Sequence, residues 1–133
     1  MRKTIHDIRS ERGQTFTEFA LILPILMVLM LGIVQFGVAF NNYVTLTDAV
    51  RAGARKAAVS RHSGNPAADC RAAVLAAGNN LDSAELGKNL SCTSSWAPGA
   101  ELTVHADYPY DIKLLDWSVY SGRVSSTMKE RVE

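Results

Sequence analysis

From Phe19 to Thr47 the chain carries no charged side chain, although Asp, Glu, Lys and Arg make up 20% of its 133 residues. Within that gap the run FALILPILMVLMLGIVQFGVAF, residues 19–40, is interrupted only by Pro24, Gly32, Gln35 and Gly37. Wound as a helix rising about 1.5 Å per residue it reaches roughly 33 Å, enough to cross the hydrocarbon of a bilayer. A cleaved secretory signal has an apolar core of only about 7 to 15 residues, so this run is too long for one. The small triplet Gly37-Val38-Ala39 nevertheless offers the residue sizes a signal peptidase accepts. A buried helix of a soluble protein needs apolar cover on every side, and the rest of so short a chain cannot supply it. Beyond Phe40 the chain is polar, with space for one modest core. Lys and Arg total 14 against 13 Asp and Glu, which excludes a polycationic nucleic-acid binder.

Past Phe40 the helical period continues without a breaker. Leu46, Ala49, Val50, Gly53, Ala54, Ala57 and Ala58 recur at steps of three and four, while Asp48, Arg51, Arg55 and Lys56 take another face. The apolar run therefore predicts an amphipathic stalk that ends near the breakers at Ser60 to Pro66. Its small-residue face suits either another backbone or the chain's own sheet. Asn65-Pro66 supplies a cap and a first-turn proline for a short helix over Ala67 to Ala77, closed by Gly78. Leu90–Trp96 and Glu101–Tyr108 flank Ala97-Pro98-Gly99-Ala100 as a hairpin, and Arg123 to Val132 reads as a third antiparallel strand. In the middle strand Leu102, Val104, Ala106 and Tyr108 alternate with Glu101, Thr103, His105 and Asp107, so one face is buried and the other, with His105, is wet. The expected fold is α+β: a long N-terminal helix with its transmembrane part at 19–40, then a small domain with a short helix and a three-stranded antiparallel sheet.

The junction before the apolar run reads Arg12-Gly13-Gln14-Thr15-Phe16-Thr17-Glu18-Phe19, preceded by a leader in which Arg2, Lys3, Arg9 and Arg12 outnumber Asp7 and Glu11. An unpaired carboxylate at the edge of a spanning helix costs about 2.5 to 3.5 kcal/mol on the lenient insertion scale. Glu18 therefore seeks a partner, unless headgroups solvate it. The junction resembles the processing site of type IV prepilins, most closely the tight-adherence (Tad, or Flp) branch. There a glycine precedes the cut and glutamate is the fifth residue of the mature chain. With Asp48-Ala49-Val50-Arg51-Ala52-Gly53-Ala54-Arg55, the segment is similar to TadE-like pseudopilins, the minor pilins of that system. Phe19, where major subunits have tyrosine, and the chain's length both favour a pseudopilin over the main subunit. The region after Val59 offers no family signature.

The resemblance implies cleavage between Gly13 and Gln14 by a membrane aspartic prepilin peptidase, with Glu18 and Phe19 as the fifth and sixth mature residues. It also implies other pilin and pseudopilin subunits and an inner-membrane assembly platform as partners. The organisation expected is a cytoplasmic leader over 1–13, a helix over 14–61, and an exported domain over 62–133, held in the inner membrane by a single pass. In a packed bundle the Glu18 carboxylate would neutralise a neighbour's new amine in a low-dielectric shell. Pro24 removes one helical donor and frees a carbonyl, which predicts a bend or local unwinding.

Cys70 and Cys92, on the short helix and the first strand, permit one bridge in an oxidising compartment, closing a loop of about 22 residues worth ~3 kcal/mol. Two reduced, buried thiols are the other option. Tyr108, Tyr110, Trp117 and Tyr120 form either a contact patch or a satellite core. His6, His62 and His105 are scattered, and no metalloprotease, nucleophile-elbow or phosphate-loop string occurs. The expectation is a protein with no catalysis, cofactor, metal, nucleic acid or small-molecule substrate. Its job is pilus assembly, or, as the alternative, static anchoring of an envelope domain that binds a partner. A secreted enzyme lacks the constellation it needs.

Overall fold

The computed structural model describes residues 5–114 and 117–133, with side chains described over 13–113 and 117–133. Leader residues 1–4 lie outside the described residues, as do the leader's side chains before Gly13. Helix α1 spans Ile5–Ala58, 54 residues, and is followed by α2 (Pro66–Ala77), α3 (Ser83–Lys88), β1 (Leu90–Thr93), β2 (Glu101–Leu114) and β3 (Trp117–Arg131). The strands form one antiparallel sheet in the order β1-β2-β3. This is the α+β arrangement expected, a long apolar helix with a short helix and a three-stranded sheet.

The core sits where the far third of α1 meets the sheet and α2. Leu46, Ala49, Val50, Ala54 and Ala57 are buried there against Val74 of α2 and against Leu102, Val104 and Ala106 of β2. The small-residue face of the stalk is therefore covered by the chain's own domain. At Gly53 the approach is closest: a Cβ there would lie 2.2 Å from Val74 Cγ2 and 3.3 Å from the Cys70 carbonyl oxygen. Only a residue without a side chain lets the two helices meet at this distance.

Local signals place the shorter elements. The Asn65 side chain accepts from the Ala68 N–H at 3.1 Å, and Pro66 starts α2 in the first turn where its missing donor costs nothing. Helix α3 is an addition to the elements expected from the sequence, yet it has a cap: Asp82 accepts from the Ala84 N–H at 2.8 Å, with Glu85 three residues on. The Asp82 and Glu85 spacing is the signal that marks it. Its Leu86 is fully buried and closes the core beneath α2.

β2 and β3 are each longer than expected. Pro109 argues for a middle strand that ends at Tyr108, but the strand continues to Leu114, with Pro109 opposite Arg123. The tolerance has a physical reason. β1 pairs only with Thr103 to Ala106, so beyond that point β2 has one free edge, where a missing N–H is harmless. β3 begins at Trp117 rather than Arg123, and its pairing passes from Tyr120 to Ser118, leaving Val119 as an extra residue in an irregular step. The paired end of this hairpin runs back along α1 instead of away from it.

Replacing Gly53 with valine forces branched atoms into Val74 and should lower domain stability by about 1 to 3 kcal/mol. Gly37→Val, at a position with nothing within 4 Å, should leave domain unfolding unchanged. Urea unfolding of both proteins in detergent, each also carrying Trp117→Phe so that Trp96 is the reporter, measures the contrast.

Candidate functional site

The head of α1 gathers the junction residues on one exposed helical stretch. Gln14 Nε2 donates to Glu18 Oε1 at 3.1 Å, an i to i+4 bond across one turn. Thr17 Oγ1 donates to the Gly13 carbonyl at 2.8 Å over the same spacing. Phe16 and Phe19 remain 74% and 58% exposed beside this polar pair. The backbone is helical through Gly13, and a Cβ there would meet nothing within 4 Å. Nothing in the fold of the single chain therefore calls for glycine at this position. A glycine inside a helix costs about 1 kcal/mol relative to alanine.

From Phe19 to Met30 every side chain is exposed. Leu21, Ile33 and Phe36 are exposed at 70%, 73% and 68%. Among the described residues one helix is long and apolar enough to cross a membrane, and none of its apolar window is buried inside the protein. A soluble fold would leave this surface in water at roughly 25 cal/mol per Å2, so single-pass membrane anchoring is the state the helix suits. The backbone stays helical through Pro24, so this proline sits inside α1 without ending it.

In the domain, Cys70 and Cys92 are joined by a disulfide, which ties α2 to β1 with Cα atoms 6.5 Å apart. The adjacent Arg71 reinforces the same seam: Nη1 donates to the Leu90 carbonyl at 2.6 Å and Nη2 to the Gly87 carbonyl at 3.0 Å. Sequence reasoning missed Arg71, because a lone arginine after a cysteine carries no pattern. His105 stays on the wet face, with Nδ1 2.8 Å from Thr127 Oγ1 and Nε2 3.2 Å from Asp107 Oδ1. Among the described residues no three His, Cys, Asp or Glu side chains gather around a space for a metal ion.

The aromatic residues divide into three environments. Tyr108 packs on the core, and its hydroxyl accepts from the Asp82 N–H at 3.1 Å. Tyr110 and Tyr120 lie across the hairpin with ring centroids 6.1 Å apart. Desolvation first, and then Tyr120 beside it, push the Tyr110 hydroxyl above its ordinary phenol range. Trp117 is 81% exposed.

Residues 13–55 of the chain match the family model of TadE-like protein, so the match begins at the glycine before Gln14 and ends just past Gly53. No curated protein and no solved structure was found to match the chain. The stretch matched contains both the exposed junction and the face of α1 that receives the domain.

Opening the bridge by Cys70→Ser with Cys92→Ser should cost about 3 kcal/mol, the entropy expected for a loop of this size, with Arg71 holding the seam in part. Chemical unfolding of the double variant against the parent measures it. The parent's thiols should take up no alkylating reagent until a reductant is added.

Proposed function

We propose that this chain, whose long helix is TadE-like, is a minor pilin that a prepilin peptidase cuts after Gly13 and that then takes part in assembling, initiating or capping a Tad (Flp) adhesive pilus. In this reading it sits in the inner membrane with residues 1–13 in the cytoplasm. The disulfide-linked domain faces the oxidising side, where such a bridge persists. Its partners are other pilin and pseudopilin subunits and the inner-membrane assembly platform, and its role is assembly rather than catalysis.

The observation that carries the reading is the exposed Gln14–Glu18 pair at the head of an uncovered apolar helix, at the start of the family match. Glycine at position 13 answers no need inside the chain, which supports a demand from outside, namely a peptidase that must approach the backbone closely. Cutting there turns the Gln14 nitrogen into an amine one helical turn from Glu18. When helices pack and water is excluded, a neighbour's carboxylate neutralises that amine.

A static anchor is the alternative, and the unbroken helix through Gly13, held by the Thr17 bond, favours it, since cleavage requires that turn to open. The two readings separate on processing. Gly13→Leu should leave the chain at full length and membrane bound, whereas the parent's intact mass should correspond to a chain beginning at Gln14. A full-length parent in its native membrane would support the anchor.

Glu18→Leu separates assembly from insertion. Removal of the carboxylate leaves membrane insertion and cleavage intact, while each subunit contact that relied on it loses about 3 to 5 kcal/mol through an unpaired amine. Cleaved protein should accumulate in the membrane with pili lost from the cell surface. Normal piliation would mean that this carboxylate does not register subunits.

A further inference from the structure

The paired end of the β2–β3 hairpin reaches down alongside the part of α1 that is apolar enough to lie in lipid. Asp111 and Lys113 face Gln35 and Ala39 across a cleft of about 320 Å3. Beside it, Ile112 and Tyr120 face Phe36 and Phe40 across a largely apolar cleft of about 260 Å3. The half-buried stripe of α1 follows the same line, through Leu31, Gln35, Ala39 and Asn42 to the buried Leu46. Gln35 to Phe40 corresponds to roughly 8 Å of helix, so the hairpin overlaps the end of the apolar run by about that length.

The hydrocarbon core takes about 20 helical residues. Counted from Phe16 such a span ends at Gln35, and counted from Phe19 it ends at Val38. Both counts put the lipid boundary at the level of Ile112 and Tyr120. Trp117 lies beyond them toward the tip, and together with Val119 and Tyr120 it leaves 81%, 60% and 58% of three apolar side chains exposed within four residues. Tryptophan and tyrosine next to a lysine form the composition that settles at headgroup depth, where the rings are desolvated and the polar atoms stay wet.

We propose that the end of the β2–β3 hairpin is a second membrane contact, in which Trp117, Val119 and Tyr120 enter the lipid interface on the domain side, beside α1. The occupant is the lipid surface because the patch is continuous with the helix surface that is itself exposed to lipid. The hairpin then fixes how deep α1 sits and which way the domain leans on the bilayer. This proposal rests on the membrane-spanning reading of α1.

The test uses tryptophan emission of the full chain in phosphatidylcholine–phosphatidylglycerol vesicles containing brominated acyl chains. The chain has two tryptophans, so Trp96→Phe leaves Trp117 as the reporter. Because Trp96 packs on the core, the difference between the parent and Trp117→Phe supplies the same signal without touching it. A Phe36→Trp reporter in a chain with Trp96 and Trp117 changed to Phe monitors the helix. The expected result is that Trp117 emission shifts to the blue, loses most of its intensity to the bromines and resists aqueous iodide. If Phe36→Trp is quenched by bromines while Trp117 is quenched by iodide instead, the hairpin contact is overturned and the anchored helix stands. If neither reporter meets the bromines, the spanning reading falls and the hairpin contact falls with it. A blue shift without bromine quenching that vanishes as protein is diluted in lipid would assign the face to another copy of the chain and overturn the lipid assignment.

Discussion

The contact between α1 and α2 at Gly53 fixes the position of nearly everything else in the domain. With no side chain between them, Val74 and the Cys70 backbone lie directly on α1, and that closeness carries Cys70 to Cys92 and Arg71 to the carbonyls of Gly87 and Leu90. β1 is positioned by those two links, β2 by its pairing with β1, and β3 by β2. The far end of the sheet returns to the same helix, where the Glu133 N–H donates to the Ala58 carbonyl at 3.0 Å. A close-packed interior tolerates little change of volume, so a disturbance at Gly53 is felt at each of these links.

The family match ends two residues beyond this contact, and the packing accounts for its content. In Asp48-Ala49-Val50-Arg51-Ala52-Gly53-Ala54-Arg55 the buried positions are Ala49, Val50 and Ala54, and Gly53 admits α2. The charged positions lie outside; Asp48 and Arg51 form an exposed pair at 3.6 Å that contributes little to stability. The motif is thus a seat for the chain's own domain. The surface left uncovered is the apolar helix before it.

Much of this architecture was legible in the sequence, because the longest signals are the least ambiguous. The charge gap over Phe19 to Thr47 marks the long helix, and the alternation of Leu102, Val104 and Ala106 marks the middle strand. Asn65-Pro66 marks the start of α2. What escaped has particular causes. Helix α3 is one short turn and a half with no apolar period, visible only through the Asp82 cap. The full length of the hairpin is hidden by Pro109, since a proline ends a strand flanked on both sides, and only the brevity of β1 leaves the edge that accommodates it. At the head of the helix the residues Gly13, Gln14 and Glu18 were legible as a group, but the hydrogen bond from the Gln14 side chain depends on helical continuity that the basic leader does not announce.

That continuity has a mechanical consequence. From Gly13 to Ala58 α1 is one continuous helix, with Pro24 inside it and no loop between the apolar run and the domain. Glu18 and Leu46 are separated by roughly 42 Å of helix at 1.5 Å per residue. A continuous helix has no loop at which to absorb torque. Rotation imposed at the Glu18 end arrives at the domain as rotation of the whole domain, and lifting the helix by one residue's rise lifts the sheet by the same amount. The chain therefore behaves as a crank, in which the angular setting of the helix determines which side of the sheet is turned outward.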